Sequence, residues 1–261
     1  MPKPSLAELR PVVHPGGLKD RRSGEHWAGR LYMREVSLRC TRVLLNSRPT
    51  PNQYTGLMIL AGVAAGAALL VPGLTGAILG MLLIQLYLLL DCVDGELARW
   101  RKVTSTTGVY LDRVGHYLSE AALLVGFGIR AADVFHKDGA ATQWQWAFLG
   151  TVAALGAILI KAETDLVDVA RARSGMAAVE DSAATPRSSG MALARKAAAA
   201  LKFHRLVGGV EASLVILVAG IADFVHHDLL FTRIAVVLLA AVAVLQTVLH
   251  LVSILASSRL K

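Results

Sequence analysis

The residues with chemical potential are concentrated in one stretch, Asp91-Cys92-Val93-Asp94-Gly95-Glu96-Leu97-Ala98-Arg99, followed by Gly108, Asp112 and His116. On a helix, Asp91 and Asp94 are three apart and share a face, and Asp112 and His116, four apart, share one on the next. Both pairs fall near the ends of apolar segments, where an uncompensated charge is costly. A short loop between them would fold the two acidic helix ends together as a hairpin. Converging carboxylates repel unless a cation lies between them, so a divalent metal site is the economical reading. Oxygen donors favour Mg²⁺, Mn²⁺ or Ca²⁺ over zinc. Gly95 lets a ligand approach the backbone, and the Arg99 guanidinium suits a phosphate. Metal, arginine and a membrane interface together point to phosphoryl chemistry on a lipid. Helix caps and loop charges would account for one such aspartate, but poorly for six polar positions at these spacings.

The elements that must position these residues are membrane helices. The 261-residue chain is 54% hydrophobic and 18% charged, with a mean hydropathy of +0.53. Soluble domains are less apolar and more charged. This composition excludes a disordered chain, and two cysteines exclude a disulfide scaffold. Six segments approach the ~20 apolar residues a helix needs to cross a bilayer: Tyr54 to Val71, Leu74 to Leu90, Thr107 to Phe135, Trp144 to Ala170, Val207 to Val225 and Leu230 to Leu255. The expected fold is therefore all-α and polytopic, with six transmembrane helices. Pro72-Gly73 would break the first span from the second.

The net charge of +8 comes from 27 Lys and Arg against 19 Asp and Glu. Most of the basic residues fall before Pro51, after the second span (Arg99, Arg101, Lys102), between the fourth and fifth spans, or at the end of the chain. By the positive-inside rule this predicts an integral protein of the inner or plasma membrane, with both termini and the acidic stretch cytoplasmic. The surplus reads as a membrane-surface signal, and no nucleic-acid partner is expected. Trp27, Leu31, Val36, Cys40, Val43 and Leu44 recur at roughly helical spacing among arginines. That pattern predicts an amphipathic juxtamembrane helix facing anionic headgroups. The chain thus divides into an N-terminal segment, 1–50, and a six-helix membrane domain, 51–261, with a cytoplasmic loop at 171–203. Ser174 to Gly190 reads as loop, and Met191 to Phe203 as a short basic helix.

The acidic stretch resembles the motif of the CDP-alcohol phosphotransferases, also called CDP-alcohol phosphatidyltransferases: D-x2-D-G-x2-A-R-x8-G-x3-D-x3-D. Asp91, Asp94, Gly95, Ala98, Arg99, Gly108 and Asp112 match in type and spacing. His116 replaces the fourth aspartate. Thr50-Pro51-Asn52-Gln53-Tyr54-Thr55 also looks like the start of the family's first span. The resemblance implies a transferase that moves a substituted phosphate from a CDP-linked donor, most often CDP-diacylglycerol, to an alcohol, releasing CMP. It implies one or two divalent ions, Mg²⁺ or Mn²⁺, on Asp91, Asp94, Asp112 and His116. It also implies a CDP site of Asp94, Gly95, Ala98, Arg99 and Gly108, and a homodimer. Glycerol phosphate, inositol phosphate, serine or an amino alcohol would be the acceptor.

In the family the fourth aspartate is a metal ligand and the proposed general base. His116 could keep both roles, since neutral imidazole ligates metals and its ordinary pKa of about 6.5 suits proton abstraction. Asp112 and His116 are the candidate catalytic pair, with Glu120, one turn on, expected to orient the imidazole. The other reading is a degenerate site that binds CDP-linked nucleotides in a regulatory or partner role. Relatives often carry Lys or Arg where Tyr117 stands, and small residues or Pro where Arg113 stands, so both positions are candidates for acceptor binding. Lys161 and Arg205 are further candidates, as is His204. Glu163, Asp165 and Asp168 share Lys161's helix end, and Glu211 interrupts the fifth span. A transporter is the weakest alternative, because the polar residues lie at one face and not at the midplane.

Overall fold

The computed structural model describes residues 3–15, 27–135, 143–177, 206–257 and 259–260. The expected basic helix at 191–203, most of the 171–203 loop, His204 and Arg205 lie outside the described residues. The described chain is helical: α1 (Leu6–Val13), a π-helical turn (Gly29–Met33) running into α2 (Arg34–Leu44), α3 (Pro51–Ala68), α4 (Gly73–Arg101), α5 (Thr106–Ala132), α6 (Trp144–Arg173), α7 (Gly209–His226) and α8 (Leu230–Leu255).

Two of the long helices, α3 and α5, begin on a side-chain cap. Thr50 and Gln53 form a reciprocal capping box at the start of α3, with Pro51 in the first turn. Between α3 and α4 the chain turns through Pro72 and Gly73, whose φ of 74° lies in the left-handed region that glycine tolerates. Lys102 ends α4 in the same region, at φ 54°. Ser105 then caps α5 by accepting a bond from the Gly108 N–H at 3.0 Å. The α4–α5 connection is therefore only four residues long, 102–105.

α3, α4 and α5 pack on one another, α6 packs on α5 and α8, and α7 on α4 and α8. Two crossings bring backbones together. A Cβ at Gly66 of α3 would overlap the Ala122 carbonyl of α5, and one at Gly150 of α6 would lie 2.6 Å from the Gly128 Cα of α5. The main core gathers Met58, Ile84, Leu123, Phe127 and Ile216. α6 and α8 form the outer wall, with Phe148, Leu155 and Leu166 exposed on one and Leu238, Leu245 and Leu255 on the other.

Six long helices correspond to the six expected spans, but only α4, α6, α7 and α8 are long and apolar enough to cross a membrane by length and composition. The count of six is corrected to four on that criterion. α3 starts on Pro51-Asn52-Gln53 and continues rich in glycine and alanine. α5 carries Asp112, Arg113, His116, Glu120 and Arg130. Of the two helices that fall short, α5 carries Asp112 and His116 and α3 faces them, while α4, which carries Asp91, keeps its apolar length.

The segment of the expected amphipathic helix folds as the π-turn and α2, with a different buried face. Ser37, Leu38 and Thr41 are buried, and Ser37 reaches Glu96 of α4. The anticipated stripe faces outward, with Leu31 71% and Val43 66% exposed. α1 was not anticipated. Ser5 and Glu8 make its capping box, and the Ser5 amide and hydroxyl hold the Glu8 carboxyl below its usual range. Leu9 and Val13 are fully buried in a second core with Leu38, Tyr54, Val93 and Leu97, under the acidic end of α4.

Candidate active site

The tight α4–α5 connection sets the last turns of α4 against the first turns of α5, so residues far apart in sequence face each other. Asp91, Asp112 and His116 each direct one ligand atom into a group whose members all lie within 4.8 Å of one another. His116 Nε2 is 3.4 Å from Asp91 Oδ1 and 3.5 Å from Asp112 Oδ1. All three side chains are partly exposed, so the cluster is accessible. Two carboxylates and one imidazole at this spacing form a candidate metal-binding cluster and fit a divalent ion of the Mg²⁺/Mn²⁺ kind by donor type.

Asp94 is not a member of this group. Its side chain is 6% exposed and accepts a 2.6 Å bond from Thr55 Oγ1 of α3, although it shares a cavity of about 370 Å³ with Asp91 and Asp112. That cavity is walled by α3, α4, the α4–α5 connection and α5, and its lining includes Gly95, Ala98, Arg99, Gly108 and Arg113. Two of its glycines lie where a side chain would intrude. A Cβ at Gly95 would sit 3.1 Å from Arg99 Nη1, and one at Gly108 2.9 Å from Asn52 Oδ1. The floor is therefore backbone, with a guanidinium over one part of it.

The other ring nitrogen of His116, Nδ1, is hydrogen-bonded to the buried Tyr87 hydroxyl. The expectation that Glu120 would orient the imidazole is overturned. Glu120 Oε1 is held by Lys161 Nζ at 2.9 Å and by the Gly209 N–H at 3.3 Å, at the start of α7. Arg113 and Tyr117 converge on Asp165 of α6, Arg113 through Nη1 at 2.9 Å and Tyr117 through its hydroxyl. The four-residue spacing that puts Arg113 and Tyr117 on one face brings them to α6 and not into the Asp91–Asp112–His116 cluster. Glu211 lies in the first turn of α7. Cys92 is buried and Cys40 half-buried, both as free thiols.

Three neighbours of the cluster escaped sequence reasoning. Tyr87 is four residues before Asp91, a spacing that places it on the same helix face, so the signal was available. Asn52 and Thr55 belong to the Thr50–Thr55 run, whose place at the start of the first span was legible while its contacts to α4 and α5 were not. No local pattern links His14 to Glu96, across 82 residues.

An all-α membrane bundle with an acidic cluster at one end of a helix hairpin is the class that these features define. Residues 48–162, from just before α3 into α6, match the model of the CDP-alcohol phosphatidyltransferase family. Within that segment the chain is similar to the CDP-alcohol phosphotransferase enzymes. Two relatives are both named bifunctional IPC transferase and DIPP synthase. The protein from Thermococcus kodakarensis is 28% identical over 143 residues, 55% of this chain. That from Aquifex aeolicus is 30% identical over 143 residues, 54% of this chain. Each match spans 30% of the relative's own length.

Proposed function

We propose that this chain is a membrane transferase that moves a substituted phosphate from a CDP-alcohol to an acceptor hydroxyl and releases CMP. CDP-diacylglycerol is the donor in this reading, and the reaction serves phospholipid or polyol-phosphodiester synthesis. The observation that carries it is the convergence of Asp91, Asp112 and His116 beside a cavity floored by Gly95 and Gly108 and overhung by Arg99. The two relatives, both named bifunctional IPC transferase and DIPP synthase, support a transferase or synthase activity.

Asp91, Asp112 and His116 would hold a divalent ion, Mg²⁺ or Mn²⁺, with Asp94 next along the wall. Once bound, the ion would offset charge on the transferring phosphate and on the departing CMP. Arg99 would meet a donor phosphate with a planar pair of N–H groups, and the bare floor at Gly95 and Gly108 would let the nucleotide lie against backbone. Tyr87 fixes the His116 ring through Nδ1. With Nδ1–H donated to the Tyr87 oxygen, the Nε2 lone pair faces Asp91 and Asp112. Where the carboxylates alone hold the ion, Nε2 takes the proton of the acceptor hydroxyl as that oxygen attacks in line. Arg113, Tyr117 and Lys161 would bind the acceptor from the α5–α6 side.

In this reading α4, α6, α7 and α8 span the bilayer, the acidic end is cytoplasmic, and the exposed Leu31 and Val43 side chains rest on the membrane surface. The protein works as a homodimer.

One observation favours a second reading, the degenerate site. A protonated His116 would itself offset one of the two negative charges of Asp91 and Asp112, since Nε2 stands within 3.5 Å of both. CMP release from a panel of CDP-alcohols with Mg²⁺ or Mn²⁺ separates the two. Metal-dependent turnover that falls in His116→Ala and survives in His116→Asp supports the transferase. Measurable CDP binding with no turnover for any donor and acceptor supports the degenerate site.

A further inference from the structure

The first fifteen residues carry no part of the family match, yet they touch the cavity wall. α1 lies beneath the acidic end of α4, with Leu9 and Val13 fully buried against Val93 and Leu97. Its C-terminus, like that of any helix, presents carbonyls without partners inside the helix. The Val13 carbonyl accepts a 2.7 Å bond from Arg99 Nε. The next residue, His14, pairs through Nε2 with Glu96 Oε1 at 2.8 Å, and Ser37 of α2 donates to the same oxygen at 2.5 Å. Glu96 is fully buried and sits one turn before Arg99 on α4. Arg99 thus has its Nε fixed from behind by α1, while Nη1 and Nη2 lie over Gly95 at the cavity.

We propose that α1 is a positioning element for the donor site. Val13 and the His14–Glu96 pair hold the Arg99 guanidinium in the orientation that receives the donor's phosphate. This rests on the reading of Arg99 as a donor ligand. An arginine on a long flexible stem loses rotamer freedom when it binds a phosphate. Fixing its Nε beforehand removes much of that cost, so α1 acts on donor affinity and not on the transfer step. His14 is the positioning residue, because it pins the end of α1 that carries the Val13 carbonyl.

The test uses the full chain in detergent with CDP and Mg²⁺ as the probe, read by titration calorimetry, with thermal unfolding followed in parallel. His14→Ala is expected to weaken CDP binding about tenfold, the effect of losing one charge-assisted bond, and to raise the donor KM similarly with kcat within about twofold. His14→Gln, which can still donate to Glu96, restores binding. In combination with Arg99→Lys, His14→Ala adds less than its own single effect, because both act through one guanidinium. A His14→Ala protein that melts earlier but binds CDP as tightly as the parent overturns the proposal, as does full additivity with Arg99→Lys. If His14→Ala fails to accumulate, Leu9→Ala, which loosens the same helix, is judged by the same outcomes. A parent chain that binds no CDP overturns the donor reading itself. Normal CDP binding weakened by Arg99→Lys but not by either α1 variant overturns the positioning role alone.

Discussion

The two ends of the helix bundle each hold a cavity of nearly the same volume, about 370 Å³ at the acidic end and about 380 Å³ at the other. Their charged residues behave differently. At the far end Arg130 lies between Gly76 and Gly220 and donates to the Val71 carbonyl. Asp223 caps the start of α8 through the Phe231 and Thr232 N–H groups. Arg233 stacks on Trp146 and donates to the Ala131 carbonyl. Each charge there secures a helix end or a crossing. At the acidic end Asp91 and Asp112 are brought together with His116 beside both, an arrangement that packing does not need and a cation would reward. Volume does not distinguish a site from a gap; like charges held together do.

The sharpest way to break this contrast is to remove a carboxylate from the cluster. Asp91→Ala or Asp112→Ala is expected to lower CMP release by a factor of ~10³, measured as initial rates, and to leave the unfolding temperature nearly unchanged. His116→Ala should lower the rate by roughly 10²–10⁴, the usual worth of a positioned base, with His116→Asp recovering most of it. Arg99→Lys should raise the donor KM by about tenfold while kcat holds, since lysine keeps the charge and loses the planar fork. Arg130→Met is the converse experiment. It should destabilise the protein by about 1–3 kcal/mol, read as a lower unfolding temperature in detergent, with the rate per folded molecule unchanged. Tyr117→Phe, which removes the hydroxyl from Asp165, should shift the acceptor KM a few-fold at most and leave the donor KM alone. A far-end variant that abolished turnover without unfolding would dissolve the comparison.

Much of this was legible in the sequence. The helix hairpin follows from Asp91, Asp94, Asp112 and His116 falling at the ends of neighbouring apolar segments. Long helices are strongly periodic or strongly apolar, and both properties are local. What failed was non-local. Glu120 is one turn from His116, so helical spacing alone suggested a contact, but Lys161 of α6 and the first amide of α7 compete for it and win. Asp94 shares a face with Asp91 by spacing, yet Thr55 of α3 takes it. The span count erred because α3 and α5 exchange apolar residues for glycines and charges where they meet their neighbours. α1 was passed over because eight residues with proline inside make a weak local pattern; its helix is secured by the surface under α4.

The outer position of α6 and α8 has a mechanical consequence. These helices, 30 and 26 residues long, meet the acyl chains on one side, and α6 meets the site-bearing α5 on the other. A thinner or thicker bilayer tilts or strains such perimeter helices first. α6 carries Asp165 and Lys161, which hold Arg113, Tyr117 and Glu120 of α5, whereas the carboxylate cluster rests on α4 and α5, tied at the near side by α3. Bilayer thickness is therefore transmitted to the Arg113–Tyr117–Asp165 flank before it reaches the Asp91–Asp112–His116 cluster.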